Sequence, residues 1–176
     1  MVTIYQAVIP EHETLVHDIF REYLEWASFE IKREYNISLD PQTYLAHDMD
    51  TLEIFMQPQG HLLLANVEGE VAGMACMRTI GAQTAEIKRM YVRPANRRLG
   101  IGRTLVDELV RLARASGNTI LRLDSAKFMT GAHSLYRSFG FSEIAPYPQS
   151  EIPPEFRIHW VFMELPLTEG PAIPKD

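Results

Sequence analysis

The stretch Arg93-Pro94-Ala95-Asn96-Arg97-Arg98-Leu99-Gly100-Ile101-Gly102-Arg103 constrains this chain more than any other part of it. It follows a strand-like run and leads into a segment with helical periodicity at Leu105, Leu109 and Leu112. A glycine-bearing turn that feeds a helix makes an anion cradle. Its backbone comes close to a ligand, the first N–H groups of the helix point at that ligand, and the helix dipole favours negative charge there. Flanking arginines add charge-assisted hydrogen bonds to phosphate oxygens. Two other phosphate loops fit worse. A dinucleotide fingerprint needs a third glycine where Leu105 stands, and a P-loop needs glycine and lysine where Arg97 and Arg103 stand.

Charge points the same way. Residues 86–103 hold six lysines and arginines against one acid, Glu86, so the segment is +5 on a chain whose net charge is −6. A local basic patch on an acidic protein suits a small polyanion, whereas a general nucleic-acid binder needs a broad basic face. We therefore expect no nucleic-acid partner. With 176 residues, 46% of them hydrophobic, the chain can bury one core without metal or disulfide staples. Cys76 is the single cysteine, so neither an internal disulfide nor a cysteine-held metal is expected, which fits a reducing compartment. The first residues lack the pattern of a secretory signal, and no apolar run approaches the length of a membrane span. The expectation is a cytoplasmic protein with no membrane contact.

Periodicity predicts a strand over 3–8, a helix from 10 to about 30, a polar connection over 31–40 and a second helix over 41–49. Strands follow over 61–67 and 71–79, joined by a short hairpin loop, and then over 85–92. A helix over 102–116, a strand over 119–124, a helix over 130–138 and strands over 141–145 and 157–165 complete the order. Residues 146–154 contain four prolines and read as a constrained loop. This is an α/β chain with a mixed sheet, expected as one domain over 1–167 with a tail over 168–176.

Two motifs resemble a known family. Arg97-Arg98-Leu99-Gly100-Ile101-Gly102 is similar to the pyrophosphate signature of the GNAT family of N-acetyltransferases: Arg or Gln, two residues, Gly, one residue, then Gly or Ala. Downstream, Ala132-His133-Ser134-Leu135-Tyr136-Arg137-Ser138-Phe139-Gly140-Phe141 resembles the family's second motif, Ala-x-x-Leu-Tyr-x-x-x-Gly-Phe. The pair lies at the usual separation and is more specific than either half.

The resemblance implies the acyl-CoA N-acyltransferase fold, a mixed seven-stranded sheet flanked by about four helices. It implies acetyl-CoA in an opening between the fourth and fifth strands. The pyrophosphate would sit on Arg97, Arg98, Leu99, Gly100, Ile101, Gly102 and Arg103. Met90, Tyr91 and Val92 would run beside the pantetheine arm, with Phe139 packed nearby. Tyr136 is the implied acid for the leaving sulfur, and Glu86, six residues before Val92, the implied base. No metal is implied. The family's frequent Asn three residues before the motif alanine is Met129 here, which leaves that cofactor contact open.

The implied acceptor is the amine of a small molecule or a peptide, lying against residues 23–34 and 147–156. There Tyr23, Trp26, Phe29, Tyr147 and Phe156 offer aromatic walls, and Glu22, Glu30 and Glu151 offer charge for a cationic amine. His133 is expected to face solvent and Cys76 to be buried filler. Members of the family often pair, so a homodimer is a further expectation of the resemblance. The competing reading is a non-catalytic acyl-CoA-binding sensor or assembly module.

Overall fold

The computed structural model describes residues 1–167; the expected tail lies outside the described residues. Strand β1 (Val2–Gln6) leads to helix α1 (Glu13–Tyr35), which carries Val16, Ile19, Phe20, Leu24, Ala27 and Ile31 as one buried stripe. Those residues recur every three or four positions, so one face of the helix packs on the sheet. Asn36 ends α1 in the left-handed conformation, its N–H closing on the Lys32 carbonyl. The polar run 31–40 expected to be a connection is therefore helical as far as Tyr35. Ile31 extends the buried stripe by one turn, and tertiary packing outweighs the polarity of its neighbours. Helix α2 (Pro41–Asp50) has Asp40 as its cap, accepting from the N–H groups of Gln42 and Thr43, with Pro41 at the first helical position.

Strands β2 (Gly60–Val67), β3 (Glu70–Gly81) and β4 (Thr84–Val92) form an antiparallel meander. Helix α3 (Ile101–Ala115), β5 (Ile120–Ala126), helix α4 (Thr130–Ser138), β6 (Ser142–Ile144) and β7 (Trp160–Pro166) follow. The sheet order is β1-β2-β3-β4-β5-β7-β6, seven strands among the described residues. Every pairing is antiparallel except β4 with β5. The last strand starts at Trp160 because Pro154–His159 forms a 3-10 turn, which absorbs the first three residues expected in that strand.

The sheet separates two cores. On one face α3 buries Leu105, Val106, Leu109 and Val110 against Ile87, Leu121, Leu123 and Met163. On the other α1 buries Val16, Ile19, Phe20 and Leu24 against Leu62, Leu64, Met74 and Cys76. Strand β3 is apolar on both faces from Val71 to Met77, as a central strand must be. Cys76 sits in it fully buried, and burial pushes its thiol pKa far up, so it is packing and not a nucleophile.

The end of β4 is held from outside the sheet. Arg89 bonds Asp48 of α2 through Nε and Nη2, both at 2.6 Å, and the two side chains are 12% and 3% exposed. Removing the carboxylate strands a buried guanidinium. Asp48→Ala is expected to cost about 3–5 kcal/mol in a urea titration. A loss below about 1 kcal/mol, the size of an exposed pair, would contradict this role.

Candidate active site

Strands β4 and β5 run parallel in register only from Thr84 with Ile120 to Ile87 with Leu123. Beyond that point they part. Across β3 the register slips, with Met74 opposite Tyr91 but Cys76 opposite Lys88, so β4 carries one extra residue. Arg89 takes φ 52° at this bulge. A bulge re-aims a strand and sharpens its twist, and here it coincides with the end of pairing to β5. Side chains change faces across it. Lys88 and Tyr91 face α1, while Met90 and Val92 pack towards α3. The β5-side edge of β4 beyond Ile87 is left without a strand partner, and cavities open on both faces of the sheet.

The larger cavity, about 550 Å³, lies between the end of β4, the start of α3 and the start of α4. Gly100 precedes α3 at φ 79° and Arg98 stands at φ 64°, so the loop coils in left-handed steps that glycine adopts without strain. No side chain caps α3, and its first backbone bond runs from the Thr104 N–H to the Gly100 carbonyl. Among the described residues the N–H groups of 98–103 therefore have no backbone acceptor, the arrangement an anion fills. A Cβ on Gly102 would stand 3.3 Å from Leu135 Cδ2 and 3.5 Å from Met90 Cε, so glycine lets the helix close on the sheet.

Met90, Tyr91, Val92, Arg97, Arg98, Gly100, Ile101, Gly102 and Arg103 all line this groove. Two expected cofactor residues do not. Leu99 is 57% exposed at the tip of the loop, and Phe139 packs under the Arg103 guanidinium at 5.1 Å, steering that arginine instead. Arg97 lies over the Trp26 ring at 5.2 Å and donates to the Val92 carbonyl at 3.1 Å. Trp26 thus lines this groove, although the sequence suggested the acceptor wall.

The second cavity, about 150 Å³, lies on the α1 face and shares Met90 and Met129 with the groove. Met129, where the family often has Asn, thus stands at the junction of the two spaces. Tyr23, Tyr136, Glu151 and Phe156 line the second cavity as well. Tyr136 is 4% exposed, and its hydroxyl has no hydrogen-bond partner among the described residues. Burial, with lesser contributions from Tyr23 and Asp124, raises its pKa well above the usual value, so it keeps its proton. Phe29 is 65% exposed, Glu22 is bound to Arg93 and Glu30 to Arg33, so none of the three faces the cavity.

Glu86 requires a correction of place. It is 0% exposed, and neither cavity includes it. Its Oε2 accepts from Arg78 Nε at 2.7 Å and its Oε1 from the Tyr147 hydroxyl at 2.6 Å. Counting back six residues from Val92 reaches a carboxylate sealed in the core, each oxygen already holding a donor. Tyr147 is spent on the same contact and is no acceptor wall. His133 is also buried, not solvent-facing, with Nε2 3.0 Å from Ser125 Oγ. Burial first, and the Arg137 charge next, hold its pKa below the ordinary value.

Sequence reasoning passed over Asp124. It is the first β5 residue beyond the paired register and lines the acceptor-side cavity. The signal was a carboxylate at Asp124 within the strand Ile120–Ala126, whose alternation with Leu121 and Leu123 buries every second residue. Lys88 lies 3.5 Å from Asp124 and 3.3 Å from Glu151. Burial works against the Lys88 charge, but Asp124, Glu86 and Glu151 outweigh it and raise its pKa. Glu151 is held down to about 2: burial opposes its charge, and Lys88, Arg89 and Arg78 overcome that.

The α/β sheet is thus split at its parallel pair, with N–H groups that lack backbone acceptors at one mouth and a charged chamber at the other. Comparison with known proteins gives this arrangement its family. Residues 16–141 match the acetyltransferase (GNAT) family. An uncharacterised N-acetyltransferase of Schizosaccharomyces pombe is 31% identical over 126 residues, 70% of this chain and 77% of that protein. The fold is that of the PaiA N-acetyltransferase of Thermoplasma acidophilum, solved in complex with coenzyme A, with TM-score 0.71, 20% identity, and 94% of this chain and 99% of that chain covered. It is also that of YncA of Salmonella typhimurium, described as a putative acetyltransferase and solved with acetyl-CoA, with TM-score 0.66, 21% identity, and 99% and 98% covered. The chain belongs to the GNAT family, and is an acetyl-CoA-dependent acyltransferase. No helix among the described residues is long and apolar enough to cross a membrane.

Gly102→Glu is expected to abolish acetyl-CoA binding in calorimetry while the variant keeps its far-UV circular dichroism. Its Cβ displaces Leu135 slightly, and its carboxylate stands where the N–H groups gather. Unchanged affinity in the folded variant would remove the cradle from the cofactor site.

Proposed function

We propose that this protein transfers the acetyl group of acetyl-CoA to a primary amine by direct attack, with the carrier in the α3 groove and the amine in the α1-side cavity. The observation that carries the reading is that the two cavities share Met90 and Met129 at the split of β4 from β5. Acetyl-CoA, when bound, supplies an acetyl thioester activated towards nucleophiles.

The unpaired N–H groups of residues 98–103 fit a pyrophosphate, and Arg97, Arg98 and Arg103 add its counter-charge. The free edge of β4 at Met90 and Val92 offers backbone groups to an extended arm, as an added strand would use them. The Met90 N–H is the donor we assign to the thioester carbonyl. Tyr136 Oη holds a proton beside the junction and is the acid we assign to the departing sulfur. Glu86 holds the β3, β4 and 146–153 segments together through Arg78 and Tyr147 and is not, in this arrangement, the proton acceptor.

At a hundredfold its dissociation constant, acetyl-CoA should stabilise the protein by about 2.7 kcal/mol, with NADH and ATP ineffective. Tyr136→Phe should lower kcat while leaving acetyl-CoA affinity in place. Equal turnover across a pH series would remove Tyr136 as the acid. Glu86→Gln should lower stability without moving the pH dependence of kcat. A shifted profile would restore Glu86 as the base. Saturable acetyl-CoA binding with no thiol release from any amine would favour a sensor.

A further inference from the structure

The acceptor-side cavity is bordered by a connected set of ion pairs, buried except at Glu151, whose side chain is 37% exposed, and their charges do not cancel. Arg89 binds Asp48 and approaches Glu151 at 3.9 Å. Lys88 lies between Glu151 and Asp124. Arg78 joins Glu151 to Glu86, with 2.9 Å to the first and 2.7 Å to the second. Three cations, Arg78, Lys88 and Arg89, face four carboxylates, Asp48, Glu86, Asp124 and Glu151. Arg122, close by over the Tyr147 ring, is neutralised separately by Glu164 at 2.8 Å. The set is thus one negative charge in excess. An uncompensated charge in a desolvated place is costly and calls for a counter-ion.

The excess is localised. Both protein partners of Asp124, Ser150 Oγ at 3.0 Å and Lys88 Nζ at 3.5 Å, lie on Oδ2. Oδ1 has no partner among the described residues, and the Asp124 side chain is 6% exposed. Gln6 Nε2 is the one buried side-chain polar atom among the described residues that is both sealed from solvent and unpartnered, so Oδ1 opens onto the cavity that Asp124 lines. Much of the remaining lining is hydrocarbon and aromatic, from Leu24, Ala27, Ile31, Ile152, Phe156 and Trp160, interrupted by Ser28 and Tyr44.

We infer that the acceptor is a compact, apolar primary monoamine whose ammonium docks on Asp124 Oδ1. This rests on the transferase reading above and narrows its substrate. One ammonium brings the set to neutrality. A carboxylate on the acceptor would find no free cation among the lining residues, since Lys88 and Arg89, like Arg78 behind them, already hold acidic partners. A second ammonium would lie against the apolar walls without a counter-charge. Amino acids and polyamines are therefore disfavoured by charge, and the apolar share of the lining favours a hydrocarbon body. Asp124 holds the nitrogen in the cavity that Tyr136 and Met90 also line. The docked ammonium gives one proton to water, and the free amine attacks the thioester carbon. Tyr136 protonates the departing thiolate, and the second N–H proton returns to Tyr136.

The test uses the full chain saturated with coenzyme A. Calorimetric titration compares 2-phenylethylamine with its isostere 2-phenylethanol, with phenylalanine and with spermidine, in the wild type and in Asp124→Asn. The expected result is saturable binding of 2-phenylethylamine alone, weakened at least about tenfold in Asp124→Asn, which retains its coenzyme A affinity. The wild-type ligand series stands even if the variant fails to fold. Tighter binding of phenylalanine or spermidine, equal binding of the alcohol, no binding of 2-phenylethylamine, or an unchanged affinity in the folded variant would overturn the inference. Failure of coenzyme A itself to bind would overturn the transferase reading, so the two failures are told apart.

Discussion

The bond between Arg89 and Asp48 is the contact on which the rest of the site depends. It anchors the extra residue of β4 to α2, from outside the sheet, at the position where pairing with β5 ends. Without a bulge the parallel pair would continue, and a continuous sheet has no opening through which two substrates could meet. With it, Met90 and Val92 turn to one face while Lys88 and Tyr91 keep the other. One local irregularity therefore coincides with a groove on one face, a chamber on the other and the two methionines they share.

The electrostatics divide along the same line. Of the six cations in residues 86–103, Lys88, Arg89 and Arg93 are consumed by Asp124, Glu151, Asp48 and Glu22. Arg97, Arg98 and Arg103 line the groove. The segment that looks like one basic patch in sequence is half internal scaffold and half groove lining. That division speaks against a nucleic-acid surface, which needs its cations outward and spread. It also explains why the chamber behind the groove carries the opposite excess. The carboxylates that neutralise the scaffold outnumber it by one.

Much of this was legible before any coordinates. Helix α3, its glycine start and the strand before it follow from the residues of 93–112, because a phosphate cradle is a local object written in consecutive positions. The order of strands and helices followed from periodicity, and the two family motifs supplied the fold. Tyr23, Glu151 and Phe156 were legible as one wall of the second cavity, but the ion-pair network behind it was not. Asp124, Lys88, Glu151 and Asp48 come from four separate elements, and nothing in their neighbours along the chain marks them as one network. Glu86 illustrates the limit from the other side. Its spacing suited a base, but spacing does not reveal that Arg78 and Tyr147 have already taken both oxygens. The length of α1 was missed for a related reason, since Ile31 packs on groups that only the fold brings near.

The most direct test is a backbone amide NMR titration with acetyl-CoA. If the split of β4 from β5 is the carrier site, the largest shifts fall in residues 98–103 and Met90–Val92, with smaller ones at Asp124 and Met129 and none along β1 or β6. Shifts concentrated elsewhere, with residues 98–103 silent at saturation, would contradict the assignment of both cavities.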